Sequence, residues 1–283
     1  MPAVFVLIWS TGFIVARYGM PHAPPMKFLA VRYVLSVACF AIWAWAAHAA
    51  MPVNRAQIGH LSVTGVLIHA GYLGGVWAAV KLGMGAGLAA LLVGLQPVLT
   101  AIWVSSRGGA VSARQWSGLA LGFGGLALVV WQKLGIGEIH AMNVSFAVLA
   151  LLSITAGTLY QKRFVAPCDV RTANLVQLCA AFIVTLPLAL LETESMRWNA
   201  ELAGAMAWSV LALTLGGSSL LYLMIQRGAA TAVTSLMYLV PPSTAVMAWL
   251  LFGEAITVPI VIGMALTAIG VSLVVRAPAP QRA

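Results

Sequence analysis

Residues 114–131 read RQWSGLALGFGGLALVVW, and residues 258–275 read VPIVIGMALTAIGVSLVV. Both stretches are apolar and long enough to cross about 30 Å of hydrocarbon at about 1.5 Å per residue. Both carry two glycines at the same spacing, Gly118 and Gly125 in the first, Gly263 and Gly270 in the second. The second stretch therefore restates the first 145 positions later, and an offset of 144 or 145 also relates Gly12 to Gly157, Arg17 to Lys162 and Pro97 to Pro241. The chain reads as two copies of one unit.

Working outward, ten runs are candidate membrane helices: 3–19, 27–47, 61–80, 83–106, 114–131, 143–160, 170–191, 204–223, 228–251 and 258–275. Each copy holds an odd number of spans, so the second enters the bilayer upside down and the copies are related by a pseudo-two-fold axis in the membrane plane. The expected fold is an all-α integral membrane protein with ten transmembrane helices in two inverted-topology five-helix repeats. The first repeat is 1–131, a connecting loop is 132–142, the second repeat is 143–275, and 276–283 is a cytoplasmic tail. The first span lacks a basic n-region and a small-residue cleavage site, and is read as a retained helix rather than a signal peptide.

Composition agrees with a chain solvated by lipid: 62% of residues are hydrophobic and 7% charged, against about 45–50% and about 25% in a soluble domain. Cys39, Cys168 and Cys179 show no CxxC spacing, which argues against a disulfide framework or a zinc site. No metal and no cofactor are expected. The net charge of +9 is spread singly at span ends, a pattern of membrane orientation rather than nucleic-acid binding. With the N-terminus inside, nine Lys and Arg fall in cytoplasmic segments. Five (Arg17, Lys27, Lys81, Lys133 and Arg197) fall outside and Arg32 lies within the second span. That bias predicts cytoplasmic N- and C-termini in a multi-pass inner-membrane protein.

Polar groups deep in the spans are the candidate substrate-binding residues, because such groups are expensive in hydrocarbon. They are His69 with Tyr72 on the third helix; Ser218 and Tyr222, in a stripe with Thr214, on the eighth; and Tyr238 on the ninth. Trp9, Ser10 and Phe13 join them from the first helix, Gln96 and Trp103 from the fourth. Individual hydroxyls also serve simply to tie helices together. Pro97, Pro241 and Pro242 are read as kinks or hinges in mid-helix, where a missing N–H frees a carbonyl. Arg32 is a candidate for pairing with an anionic substrate group, although a structural role, snorkelling to the outer headgroups or capping a carbonyl, is the favoured reading. Glu254 is expected to cap the last helix. No carboxylate maps to midplane, so His69 is the candidate for proton coupling, with uncoupled facilitation or exchange as the alternative.

The opening Trp9-Ser10-Thr11-Gly12-Phe13, the run Ala30-Val31-Arg32-Tyr33 after Ala23-Pro24-Pro25, and Leu95-Gln96-Pro97 resemble the drug/metabolite transporter superfamily in its EamA-type ten-helix branch. Leu239-Val240-Pro241-Pro242 and Phe252-Gly253-Glu254 continue the resemblance in the second copy. One departure is Arg107-Gly108-Gly109-Ala110, which lacks the acid that the second copy has at Glu254. The resemblance implies a carrier of small organic metabolites, often an exporter of amino acids or drugs. The expected function is alternating-access transport of a small amphipathic solute, an amino acid or relative, across the bacterial inner membrane. An integral membrane enzyme acting on a lipid is the alternative, weakened by the lack of HExxH, GxSxG or paired midplane carboxylates. The expected partners are a small-molecule substrate and the lipid bilayer, with no nucleic acid; monomer and homodimer are both compatible with the sequence.

Overall fold

The computed structural model describes residues 2–52, 54–106, 112–134, 139–226 and 239–275, and among these it is helical without strands. The helices are α1 (Pro2–Gly19), α2 (Pro25–Ala46), α3 (Arg55–Lys81), α4 (Ala86–Val93), α5 (Gln96–Ser106), α6 (Ala113–Leu134) and α7 (Ala141–Phe164), followed by α8 (Val170–Leu191), α9 (Ala200–Gln226), α10 (Val240–Phe252) and α11 (Val258–Val275). Among the described residues six spans are long and apolar enough to cross a membrane: α2, α3, Ala86–Trp103, α7, α8 and α9. Large apolar side chains such as Leu7, Trp45, Leu190 and Leu250 stand outward, while Phe13, Phe28, Tyr33 and Trp77 are buried. Apolar on both sides is the arrangement of a helix with lipid as its solvent.

Helix limits repeat in register. Adding 145 to the ends of α2 gives the ends of α8, and adding 145 to the ends of α3 gives the ends of α9. The start of α3 is set by Asn54, whose side chain accepts from Ala56 N, and that of α9 by Asn199, which accepts from Leu202 N. These caps satisfy backbone donors that a helix start leaves free, and they carry both helices further toward polar residues than the expected 61–80 and 204–223. Each of these two helices also widens in the middle, at Val66–Leu73 and at Ser209–Ser218, into π-helical turns.

The glycines of the first two sequences quoted above meet. A methyl group on Gly125 would stand 2.5 Å from the Gly263 carbonyl oxygen, and one on Gly270 would strike the Gly118 carbonyl oxygen. Only glycine lets α6 and α11 approach so closely, the small-residue packing of membrane helices. The same reciprocity holds elsewhere: Gly12 faces Leu213, and Gly157 faces Ile68.

Three expectations need correction. The fourth span is not one helix kinked at Pro97: α4 ends at Val93, Gly94 and Leu95 turn, and α5 restarts at Gln96. Pro97 thus lies in a first turn, and Pro241 and Pro242 lie in the first turn of α10, where a missing N–H leaves no intrahelical bond unmade. Glu254 does not cap the last helix; its Oε1 accepts from Ala86 N at 3.0 Å and so caps α4. The expected span 228–251 lies outside the described residues up to 238.

Candidate functional site

A narrow cavity lies where α1, α2, α3 and α9 converge, lined by Trp9, Phe13, Arg32, His69, Tyr72 and Ser218 among others. Its volume is about 30 Å³, room for about one water. The π-helical turns build two of its walls. Val66–Leu73 carries His69 and Tyr72, both of which line the cavity, and the Trp9 ring stacks on Tyr72 with centroids 6.0 Å apart and planes 3° from parallel. Tyr33 Oη donates to the His69 carbonyl at 2.7 Å, supplying a partner from α2 where regular pairing is interrupted. In Ser209–Ser218 the Thr214 hydroxyl donates to the Ser209 carbonyl five residues back, at 2.8 Å.

Arg32 is 3% exposed and does not snorkel. Its Nε donates to Thr214 Oγ1 at 3.0 Å, whereas Nη1 is buried without a hydrogen-bond partner. The Gln177 amide comes up against the His69 imidazole, and its Nε2 also lacks a partner. Arg32 and Gln177 are 145 positions apart, as are His69 and Thr214. The two polar contacts therefore exchange under the repeat offset.

The other expected site residues are placed as follows. Ser10 is fully buried and donates to Val6 O within its own helix. Gln96 Nε2 donates to Thr158 Oγ1 at 3.0 Å; with Pro97, Trp9 and Phe13 it lines a second small space of about 10 Å³. Trp103 stands apart, half exposed, on a larger cavity of about 940 Å³ that it shares with Leu99, Tyr160, Lys162 and Arg163. Tyr222 also stands apart, its hydroxyl 3.0 Å from Cys168 Sγ and its ring packed with Leu61 and Ala173. Tyr222 is one regular turn beyond Ser218, about 6 Å further along the helix axis, which carries it from the central cavity toward the end of the bundle. Tyr238 lies outside the described residues. Sequence reasoning missed Tyr33, Gln177 and Trp77. The offset itself was the available signal for Gln177, since it pairs with Arg32.

Polar contacts between the first and second halves of the chain gather at both ends of the bundle. At one end Glu192 accepts from Met26 N and Lys27 N at the start of α2, Lys81 pairs with Glu194 at 2.6 Å, and His22 with Glu201 at 2.8 Å. Lys81 holds the Glu194 carboxyl below the usual carboxylate range. At the other end Gln57 bonds Ala166 through both amide atoms and Thr172 donates to Ala50 O. There Asp169 caps α8 and its carboxyl is also held low by Arg171. No cluster of three or more potential metal ligands occurs among the described residues.

A bundle of apolar helices around a small polar centre defines a multi-pass membrane protein with an internal site. Residues 3–131 and 141–276 each match the EamA-like transporter family, and the chain belongs to that family. A relative from Salmonella typhimurium, named "Probable amino-acid metabolite efflux pump", is 26% identical over 65% of this chain, and the match covers 60% of that relative's length. The "Uncharacterized inner membrane transporter YedA" of Escherichia coli K12 is 25% identical over 75% of this chain and 68% of its own. An "Uncharacterized transporter" of Archaeoglobus fulgidus is 24% identical over 96% and 94%. A solved crystal structure shares the fold at TM-score 0.69, with 15% identity over 96% of this chain and 94% of that one.

Proposed function

We propose that this transporter is a secondary carrier of ten membrane helices in two inverted five-helix repeats, and that it exports a small amphipathic organic solute of the amino-acid type. The observation that carries the reading is the exchange of contacts under the 145-residue offset. Arg32–Thr214 and Gln177–His69 form one such pair, Gly12–Leu213 and Gly157–Ile68 another, and Gly125–Gly263 and Gly118–Gly270 a third. Contacts that swap in this way are those of two similar units around a two-fold axis, and transporters of that construction hold their solute at the repeat interface near midplane. The Trp9–His69–Tyr72 cavity occupies that interface.

Both termini are cytoplasmic in this reading, so the end tied by Glu192, Glu194 and Glu201 faces outward. The 940 Å³ cavity beside Lys162 and Arg163 belongs to the inner side. The solute would pass from there to the central site, with the two repeats rocking against each other, and a relative named as a probable amino-acid metabolite efflux pump supports the direction. His69, the one histidine at the cavity, is the group available to carry a proton if flux is coupled. Counterflow of labelled amino acids into proteoliposomes tests the reading: accumulation above protein-free vesicles is expected, and none for any member of a broad panel contradicts it. Impermeant maleimide should reach a cysteine at Arg197 from outside in cells and not one at Arg55 or Arg163; the opposite pattern reverses the orientation.

A further inference from the structure

Arg32 is left in an unusual state. It is buried at the heart of a helix bundle, its Nε is engaged by a neutral hydroxyl, and its Nη1 edge has no partner. The described carboxylates, Asp169, Glu192, Glu194, Glu201 and Glu254, all lie at helix ends and are taken up in caps or ion pairs there. A cation removed from water and given no counter-charge is costly, and the cost persists in a fold only where something else uses it. The same guanidinium lines the cavity that Trp9, His69, Tyr72 and Ser218 enclose.

We propose that Arg32 is the anion-recognition residue of the central site, and that the transported solute carries a carboxylate that partners its buried, unpaired Nη1 while Nε stays on Thr214. This rests on the carrier reading above and narrows it to carboxylate-bearing solutes, excluding cationic drugs that lack one. A guanidinium offers parallel N–H donors matched to the two oxygens of a carboxylate, which an ammonium does not. The Thr214 hydroxyl contributes by fixing the guanidinium plane: it remains satisfied through Ser209 O, so it holds Nε without needing the solute. The adjacent wall is apolar and aromatic, Trp9 and Phe13 on one side, Tyr72 and Trp77 on another. A carboxylate head with a compact apolar or aromatic body matches that lining in chemistry, and because the cavity as it stands has room for about one water, such a solute enters only as the two repeats move apart. The position equivalent to Arg32 in the second half is Gln177, so the charge is single and one-sided. That suits a monoanionic head and leaves His69 and Ser218, which also line the cavity, for the solute's other polar end. A solute with two adjacent anionic groups would find only one buried cation among the described residues lining the cavity.

The test is thermal stabilisation of the purified protein by a matched series at equal ionic strength: L-phenylalanine, 3-phenylpropionate, phenethylamine, and sodium chloride as the inorganic anion. Counterflow of the same organic solutes is measured in parallel. The two carboxylates are expected to raise the melting temperature and to exchange, and phenethylamine and chloride to do neither. Arg32→Gln is expected to melt at or above the wild-type temperature, since an uncompensated buried cation is gone, yet to lose the response to carboxylates by tenfold or more in half-saturating concentration. Arg32→Lys keeps the charge without the fork and should lose most of the response too. A lower melting point in both variants with an unchanged carboxylate response would make Arg32 structural and overturn the proposal. Exchange of phenethylamine at the rate of the acids overturns it while leaving the carrier reading standing, and stabilisation by chloride equal to that by the acids makes the site one for inorganic anions. Flux or binding of no organic solute counts against the carrier reading and the proposal together.

Discussion

Arg32 Nε donates to Thr214 Oγ1 across the interface between the two halves of the chain, at 3.0 Å. The residues 145 positions away from these two, Gln177 and His69, also meet. The backbone frame of the centre is therefore shared between halves, while its chemistry is not: one half supplies a guanidinium and an imidazole, the other an amide and a hydroxyl. A symmetric frame allows two related conformations, and an asymmetric lining lets the solute bind in one orientation within both.

Gly125 is where α6 touches α11, whereas a methyl group on its neighbour Gly124 would meet nothing within 4 Å. Gly125→Ala should destabilise by about 1–3 kcal/mol through overpacking, and Gly124→Ala should be neutral or slightly stabilising. Melting temperatures in detergent decide it, and equal values for the two variants would remove the close glycine contact from the account of the fold.

Asp169 accepts from Arg171 N at the start of α8 and pairs with the Arg171 guanidinium at 2.7 Å, which lowers its carboxyl affinity for protons. A carboxyl held low in the folded state stabilises at neutral pH and loses that contribution as pH falls through its depressed value. Asp169→Asn keeps a capping acceptor but removes the charge. It should melt below wild type at pH 7, with the gap closing as the medium is acidified through the carboxylate range. A gap that stays constant with pH would show that the ion pair contributes nothing.

Trp9 and Tyr72 close the central cavity by stacking on each other, while Tyr222 faces Cys168 at the end of the bundle. Trp9→Ala should reduce counterflow by about tenfold or more, equivalent to about 1.4 kcal/mol of lost solute contact, and Tyr222→Phe should leave it near wild type. Equal losses in both would place the solute path elsewhere.

Much of the frame is legible in the sequence, because apolar length and glycine spacing are direct consequences of crossing lipid and packing closely. His69 and Tyr72 stand out in the sequence by depth alone, as polar groups in an apolar run, and both line the central cavity. Helix starts at Asn54 and Asn199 were missed since a capped first turn can be polar, and hydropathy ends before it. The stripe Thr214–Ser218–Tyr222 shares a face but spans about 12 Å along the helix axis, so its first two residues reach the centre while Tyr222 lies toward the end of the bundle. Nothing local in the sequence marks the π-helical turns at Val66–Leu73 and Ser209–Ser218. Gln177 looks like any helical glutamine until it is set against Arg32.

The central claim is that the two halves must move apart at the end of the bundle where His22 meets Arg197, now joined by the Arg197 N–H donating to the His22 carbonyl at 2.8 Å. Backbones in such contact fall within the reach of a disulfide. With Cys39, Cys168 and Cys179 replaced by serine, cysteines at positions 22 and 197 should cross-link on oxidation. The direct measurement is counterflow in proteoliposomes of this double variant, oxidised and then reduced. We expect exchange to stop when the link forms and to return with reductant. Undiminished exchange with the cross-link complete would contradict alternating access through that end.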